Sequence, residues 1–199
     1  MRTGWLAMAL MVLHQNAAAA DVTVQLTADG PASTYWAKRA ASSLFEKAGI
    51  TVAWRALPPA AGEVPRTWVR VELAEQTPEN LLPGALAVSY PYGKGRKSIT
   101  VFHDRVRQRA RGMANERALL AYVLVHEIAH VIQGVDRHSE TGVMKARWEN
   151  RDYEAIFSMR LGFAAEDLPL LERGLALCWC REAAPAASPS SRGTAFRPE

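Results

Sequence analysis

The chain has 199 residues, 49% of them apolar and 22% charged, with a formal net charge of +4. That length suits one domain able to bury a real core, and so mild a charge argues against a nucleic-acid partner. The only cysteines, Cys178 and Cys180, lie too close along the chain to close an ordinary disulfide, and no role is assigned to them.

Residues 1–20 read as a signal peptide. Arg2 is the basic start, Trp5 to Leu13 the apolar core, and Ala18, Ala19 and Ala20 the small-residue cleavage pattern, so cleavage is expected before Asp21. The apolar part is too short to span a bilayer as a helix. The mature protein is therefore expected to be secreted or periplasmic, with no membrane attachment once the signal is removed.

Val22, Val24 and Leu26 alternate with polar residues, which predicts a strand over 21–27. Gly30 and Pro31 break it. Ser33 or Thr34 then caps a helix running to Lys47, with Trp36, Ala40, Leu44 and Phe45 on its apolar side and Gly49 at its end. Further strands are expected over 51–56, 67–73, 85–90 and 98–103, the last two joined by a turn at 91–95. His103 closes the last strand, where a satisfied or exposed histidine is the ordinary outcome. Arg105, Arg107, Arg109 and Arg111 form the one dense basic cluster. On a helix they would spread around more than one face, as a solvated surface does.

Residues 115–133 read as one helix, with Asn115 as N-cap and Gly134 in the left-handed position that ends it. It is apolar nearly all round, so burial on several sides is expected. His126 and His130, four apart, lie on one face, and their ring nitrogens can converge on one cation. Zinc takes neutral imidazole at about 2.0–2.1 Å and in catalytic sites keeps one position open. Glu127 follows the first histidine and can take a proton from a water that the cation acidifies. H-E-x-x-H is the order this chemistry needs. The blander reading, a core helix with hydrogen-bonded histidines, would bury two imidazoles and a carboxylate at considerable cost.

Zinc needs a third donor. His138 comes eight residues after His130 and Asp136 six after; His138 is preferred because imidazole suits zinc. With Gly134, His138-Ser139, Gly142-Val143-Met144 and Trp148, this stretch resembles the metzincin branch of the zincin metallopeptidases. It is most similar to small secreted bacterial proteins reading H-E-x-x-H, Gly, then H-S-x-x-G-[IV]-M-x-x-x-W. It departs from the usual metzincin spacing H-E-x-x-H-x-x-G-x-x-H: glycine and third histidine both come later.

The resemblance implies an α+β, metzincin-like zincin fold. Its parts are a twisted mixed sheet of about five strands, a backing helix, a metal-binding active-site helix and a small helical C-terminal lobe. The predicted order, strand, helix, four strands, metal helix, agrees with it. The resemblance also implies Zn2+ on His126, His130 and His138, with Glu127 as general base. A peptide or protein substrate would pair with an edge strand over 84–90. Met144 would sit in a turn under the metal, a place an ordinary core methionine also suits. Trp148 reads as a core aromatic. Tyr90, Tyr92, Arg147 and Tyr153 are candidates to steady the oxyanion.

Helices over 150–159 and 166–177 complete the lower lobe, the second with Leu168, Leu171 and Leu175 at helical spacing. Residues 183–199 read as a disordered tail, leaving one domain over 21–182. The expected function is a secreted zinc-dependent metallopeptidase. One alternative is a gluzincin-type peptidase with Glu149 or Glu154 as third ligand. Another is a zinc-bearing binding protein without turnover.

Overall fold

The computed structural model describes residues 20–26, 32–60, 65, 67–79, 84–89 and 97–182. Nearly all of the expected signal peptide, the tail, Tyr90 and Tyr92 lie outside the described residues. Five strands form one mixed sheet: β1 (Val22–Leu26), β2 (Val52–Arg55), β3 (Trp68–Ala74), β4 (Ala87–Ser89) and β5 (Lys97–Phe102), in the order β2-β1-β3-β5-β4. All neighbours are parallel except β4, which runs antiparallel to β5 at the sheet's edge. Five helices accompany it among the described residues: α1 (Ala32–Glu46), α2 (His103–Ala110), α3 (Met113–Gln133), α4 (Asn150–Phe157) and α5 (Asp167–Glu182). The protein is thus α+β. No described helix is long and apolar enough to cross a membrane.

β3 shows the alternation of a half-buried strand, whereas β1, where alternation was read, is buried throughout. Val69, Val71 and Leu73 are buried while Arg70 and Glu72 are exposed, so one face of the sheet meets the core and the other meets water. Central β1 is buried on both sides of its pleat. α1 packs on α3 and β2, and Gly49 ends it at φ +75°. Ser33 and Thr34 lie inside its first turn, not before it.

α3 is the hub. It touches α1, α2, α4, α5, β4 and β5, and every residue from Ala118 to Val125 is buried. A helix contacted on so many sides must be apolar round its whole circumference, which explains why its sequence shows no polar face. It begins two residues earlier than expected. Gly112 precedes it, and Asn115 caps nothing: its Nδ2 donates back to the Ala110 carbonyl at 3.2 Å. Gly134 ends it at φ +65°, its N–H on the His130 carbonyl.

α2 was not expected. Asp104 in its first turn and arginines in its last complement the helix dipole, while only Val106 and Ala110 supply an inward stripe. His103 opens this helix instead of closing a strand. It is fully buried, its Nδ1 3.0 Å from Glu75 and its Nε2 3.0 Å from Glu116, so it joins the end of β3 to the start of α3. The arginine cluster divides here. Arg107 pairs with Glu75 at 2.9 Å, whereas Arg105, Arg109 and Arg111 turn to another side.

Candidate metal centre

His126 and His130 lie one turn apart on α3, and the loop after Gly134 brings His138 to them. The Nε2 of His130 is 3.0 Å from that of His126 and 3.2 Å from that of His138, and one donor atom of each falls within 4.8 Å of the others. Among the described residues these three form the only group of this kind. Three imidazole nitrogens this close could hold a metal ion.

The second nitrogens decide the tautomers. His126 Nδ1 lies 2.8 Å from the Val143 carbonyl and His130 Nδ1 3.3 Å from the Val135 carbonyl. A carbonyl only accepts, so each Nδ1 carries the proton and each Nε2 is bare. Burial drives the His126 pKa down to about 4 and also lowers that of His130, so both rings are neutral near pH 7. Two bare lone pairs facing each other at 3.0 Å repel. A cation among them removes the conflict, and the backbone carbonyls orient the ligands as outer partners commonly do.

Glu127 belongs to the same turn. Burial raises its carboxyl above the ordinary value, opposed by a hydrogen bond from the Ser89 hydroxyl. Ser89 ends edge strand β4, so the sheet's rim meets the metal helix at this carboxylate. Nothing in the sequence around Ser89 announced this contact, which depends on β4 lying against α3.

The turn at 142–145 supports the site from another side. Its Val143 carbonyl accepts from His126 and also from Trp148 Nε1 at 3.3 Å. Gly142 has φ +77°, and a Cβ there would lie 2.7 Å from the Gly162 carbonyl oxygen, so both conformation and space require glycine. Met144 is fully buried in the core, and its carbonyl accepts from the Ser139 N–H. Trp148 packs edge-on to His126 and Tyr122, as a core aromatic.

The loop carrying His138 is tied down by a residue the sequence did not single out. Asp167, fully buried at the start of α5, accepts hydrogen bonds from Ser139 Oγ, from Arg137 Nη1 at 3.3 Å and from the Ala164 N–H at 3.0 Å. Ser139 follows His138 directly, so Asp167 holds the loop that carries His138 from 28 residues beyond Ser139. The signal available was the H-S pair, without its partner.

The remaining candidates stand elsewhere. Asp136 is exposed and contributes no atom to the three-histidine group, although its charge helps raise Glu127. Glu149 forms the capping box of α4 with Asp152 and pairs with Lys145 at 3.3 Å. Glu154 is exposed on α4, outside the group. Arg147 is exposed, and Tyr153 packs on Trp148 and Phe157. The side chains of Cys178 and Cys180, in α5, fall outside the described residues. No protein family, curated protein or solved structure matches the chain.

Proposed function

We propose that this is a zinc-dependent peptidase of the metzincin-like type, exported from the cytoplasm, with His126, His130 and His138 as ligands and Glu127 as general base. The observation that carries the reading is the facing pair of bare Nε2 atoms on His126 and His130, with His138 closing the third side. A fourth, open position and an adjacent carboxylate are what hydrolysis requires and what a purely structural zinc site lacks. Zinc bound here would supply Lewis acidity, polarising a peptide carbonyl and acidifying a water.

The chain's own residues supply the rest. Burial keeps His126 and His130 in the neutral form that donates to a metal. Glu127, in a poorly solvated position, accepts the proton of the attacking water and returns it to the leaving nitrogen. Its raised pKa fits a group that must both take and give a proton near neutrality, and Ser89 holds the carboxylate in place. β4, an edge strand beside Glu127, is suited to pair with an extended peptide. The five-stranded mixed sheet and the Gly142–Met144 turn are compatible with the metzincin form.

Glu127→Ala separates this reading from a zinc protein without turnover. The expected result is unchanged zinc stoichiometry with loss of peptide-library cleavage by about a thousandfold or more. A wild-type chain that holds one zinc per molecule and cleaves nothing contradicts the peptidase assignment.

A further inference from the structure

We propose that the cavity beside β4 is a carboxylate-binding subsite for the substrate, with Arg109 and Arg111 as its specificity-determining residues. The inference rests on the peptidase reading and goes beyond it, by naming the chemical class of substrate. The cavity measures about 780 Å3 and lies between the α2–α3 corner and α4. Arg105, Arg109, Arg111, Asn115, Asn150 and Tyr153 are among its walls, and no described acidic side chain is. Three guanidinium groups and three amides, Gln108 among them, line one hollow with more donors than acceptors and a net positive charge, which suits a carboxylate.

Each arginine is positioned for this. Arg105 Nη1 donates to the Ala85 carbonyl at 2.8 Å, fastening α2 to the stretch that leads into β4. Arg109 lies over the Tyr153 ring, 5.4 Å from its centroid, which steadies its guanidinium at the cavity wall. Arg111, in the left-handed conformation that ends α2, lines the same cavity. Arg107, by contrast, is committed to Glu75.

The cavity joins the metal centre by two routes. Tyr153 packs on Trp148, which packs on His126. Gly84 and Leu86, which line the cavity, lead directly into β4, whose last residue bonds Glu127. Leu86 is three residues from Ser89, about 10 Å along a strand. A peptide adding antiparallel to β4 runs from the Ser89 end towards Leu86. Its residues following the scissile bond therefore lead to the arginines, and a carboxylate there would come from an acidic side chain or from the free C-terminus.

The test uses the zinc-loaded full chain and a randomised decapeptide library blocked as N-acetyl and C-amide, with cleavage sites read by mass spectrometry. Asp and Glu should be enriched about fivefold or more over Asn and Gln at one position within four residues after the cut. Arg109→Gln combined with Arg111→Gln should erase that enrichment, and Arg107→Gln should retain it. A second library with free C-termini separates the sources: a preference confined to it, for cuts near the end, assigns the terminal carboxylate. In parallel, peptides captured on immobilised Glu127→Ala chain, with and without the arginine changes, report the pocket independently of turnover. Cleavage without any carboxylate preference overturns the subsite and leaves the peptidase reading standing. Absence of cleavage overturns the peptidase reading; arginine-dependent capture of acidic peptides would then still support the pocket, and capture indifferent to charge would overturn both.

Discussion

Asp167 shows how much of a metal site can rest on a side chain that never touches the metal. It holds Ser139 and Arg137, the neighbours of His138, and is itself sealed from water. Replacing it by Ala leaves the Ser139 hydroxyl without its acceptor and frees the loop. We expect zinc affinity to fall about 10- to 100-fold, the range typical of outer-shell losses, with α3 intact by circular dichroism. Chelator competition measures it, and unchanged affinity would show that the loop is held by its backbone alone.

Burial of His126 also makes a prediction about pH. Its folded-state pKa is about 4 against an ordinary value of 6.5. Between these values the unfolded chain binds a proton that the folded chain refuses, so the metal-free protein must lose stability as pH falls from 6.5 to 4. The shift corresponds to on the order of 3 kcal/mol. Glu75, Asp104 and Asp152 act in a lower window. At Glu75 the hydrogen bond from His103 lowers the carboxyl. At Asp104 burial works the other way but is outweighed by hydrogen bonds from Thr77, and at Asp152 by those from Glu149 and Lys145. Their contribution is lost as pH falls below the ordinary carboxylate range and through their depressed values. Burial raises the Glu127 carboxyl, whose proton uptake works the other way, so the test uses metal-free Glu127→Gln protein: its melting temperature should already decline between pH 6.5 and 4.5, and a flat profile there contradicts the buried neutral imidazole.

At the scale of elements, α3 was readable because its information is local. H-E-x-x-H fixes two ligands by helical geometry alone, and unbroken apolarity from Leu119 to Val125 announces a helix surrounded by others. α2 was not readable, because its surface carries three arginines and its apolar stripe is only Val106 and Ala110; its partners, Glu75 and Thr77, precede β5. Ser89 and Asp167 were missed for the same physical reason: each acts across the fold. The junction of α3 with α5 gives the sharpest test of packing. A Cβ on Gly174 would lie 2.0 Å from the Ile132 carbonyl oxygen, a contact that only backbone movement can relieve. Gly174→Ala should cost about 2 kcal/mol or more by overpacking, despite its better helix propensity. Thermal denaturation decides, and a stabilised variant would mean that the two helices are not so close.

The described residues form a sheet with a central helix pressed against it, and the three histidines and Glu127 lie on the helix and its following loop, with Glu127 meeting the sheet's antiparallel edge at Ser89. The predicted order of strands and the metal helix matched the fold, since alternation and helical spacing are properties of short segments. The resemblance alone placed the 84–90 strand at an edge, where β4 lies; the order of the other strands was not legible, because it depends on pairing between distant segments, and so does the cavity that the arginines share with β4. The central claim is that three imidazoles bind one zinc ion. Zinc-edge X-ray absorption on the full chain, purified without chelators, measures this most directly. The account predicts three imidazole nitrogens at about 2.0–2.1 Å and a partial loss of that shell in His138→Ala. A chain that takes up no zinc, or whose zinc keeps the same donors after His138 is removed, would contradict it.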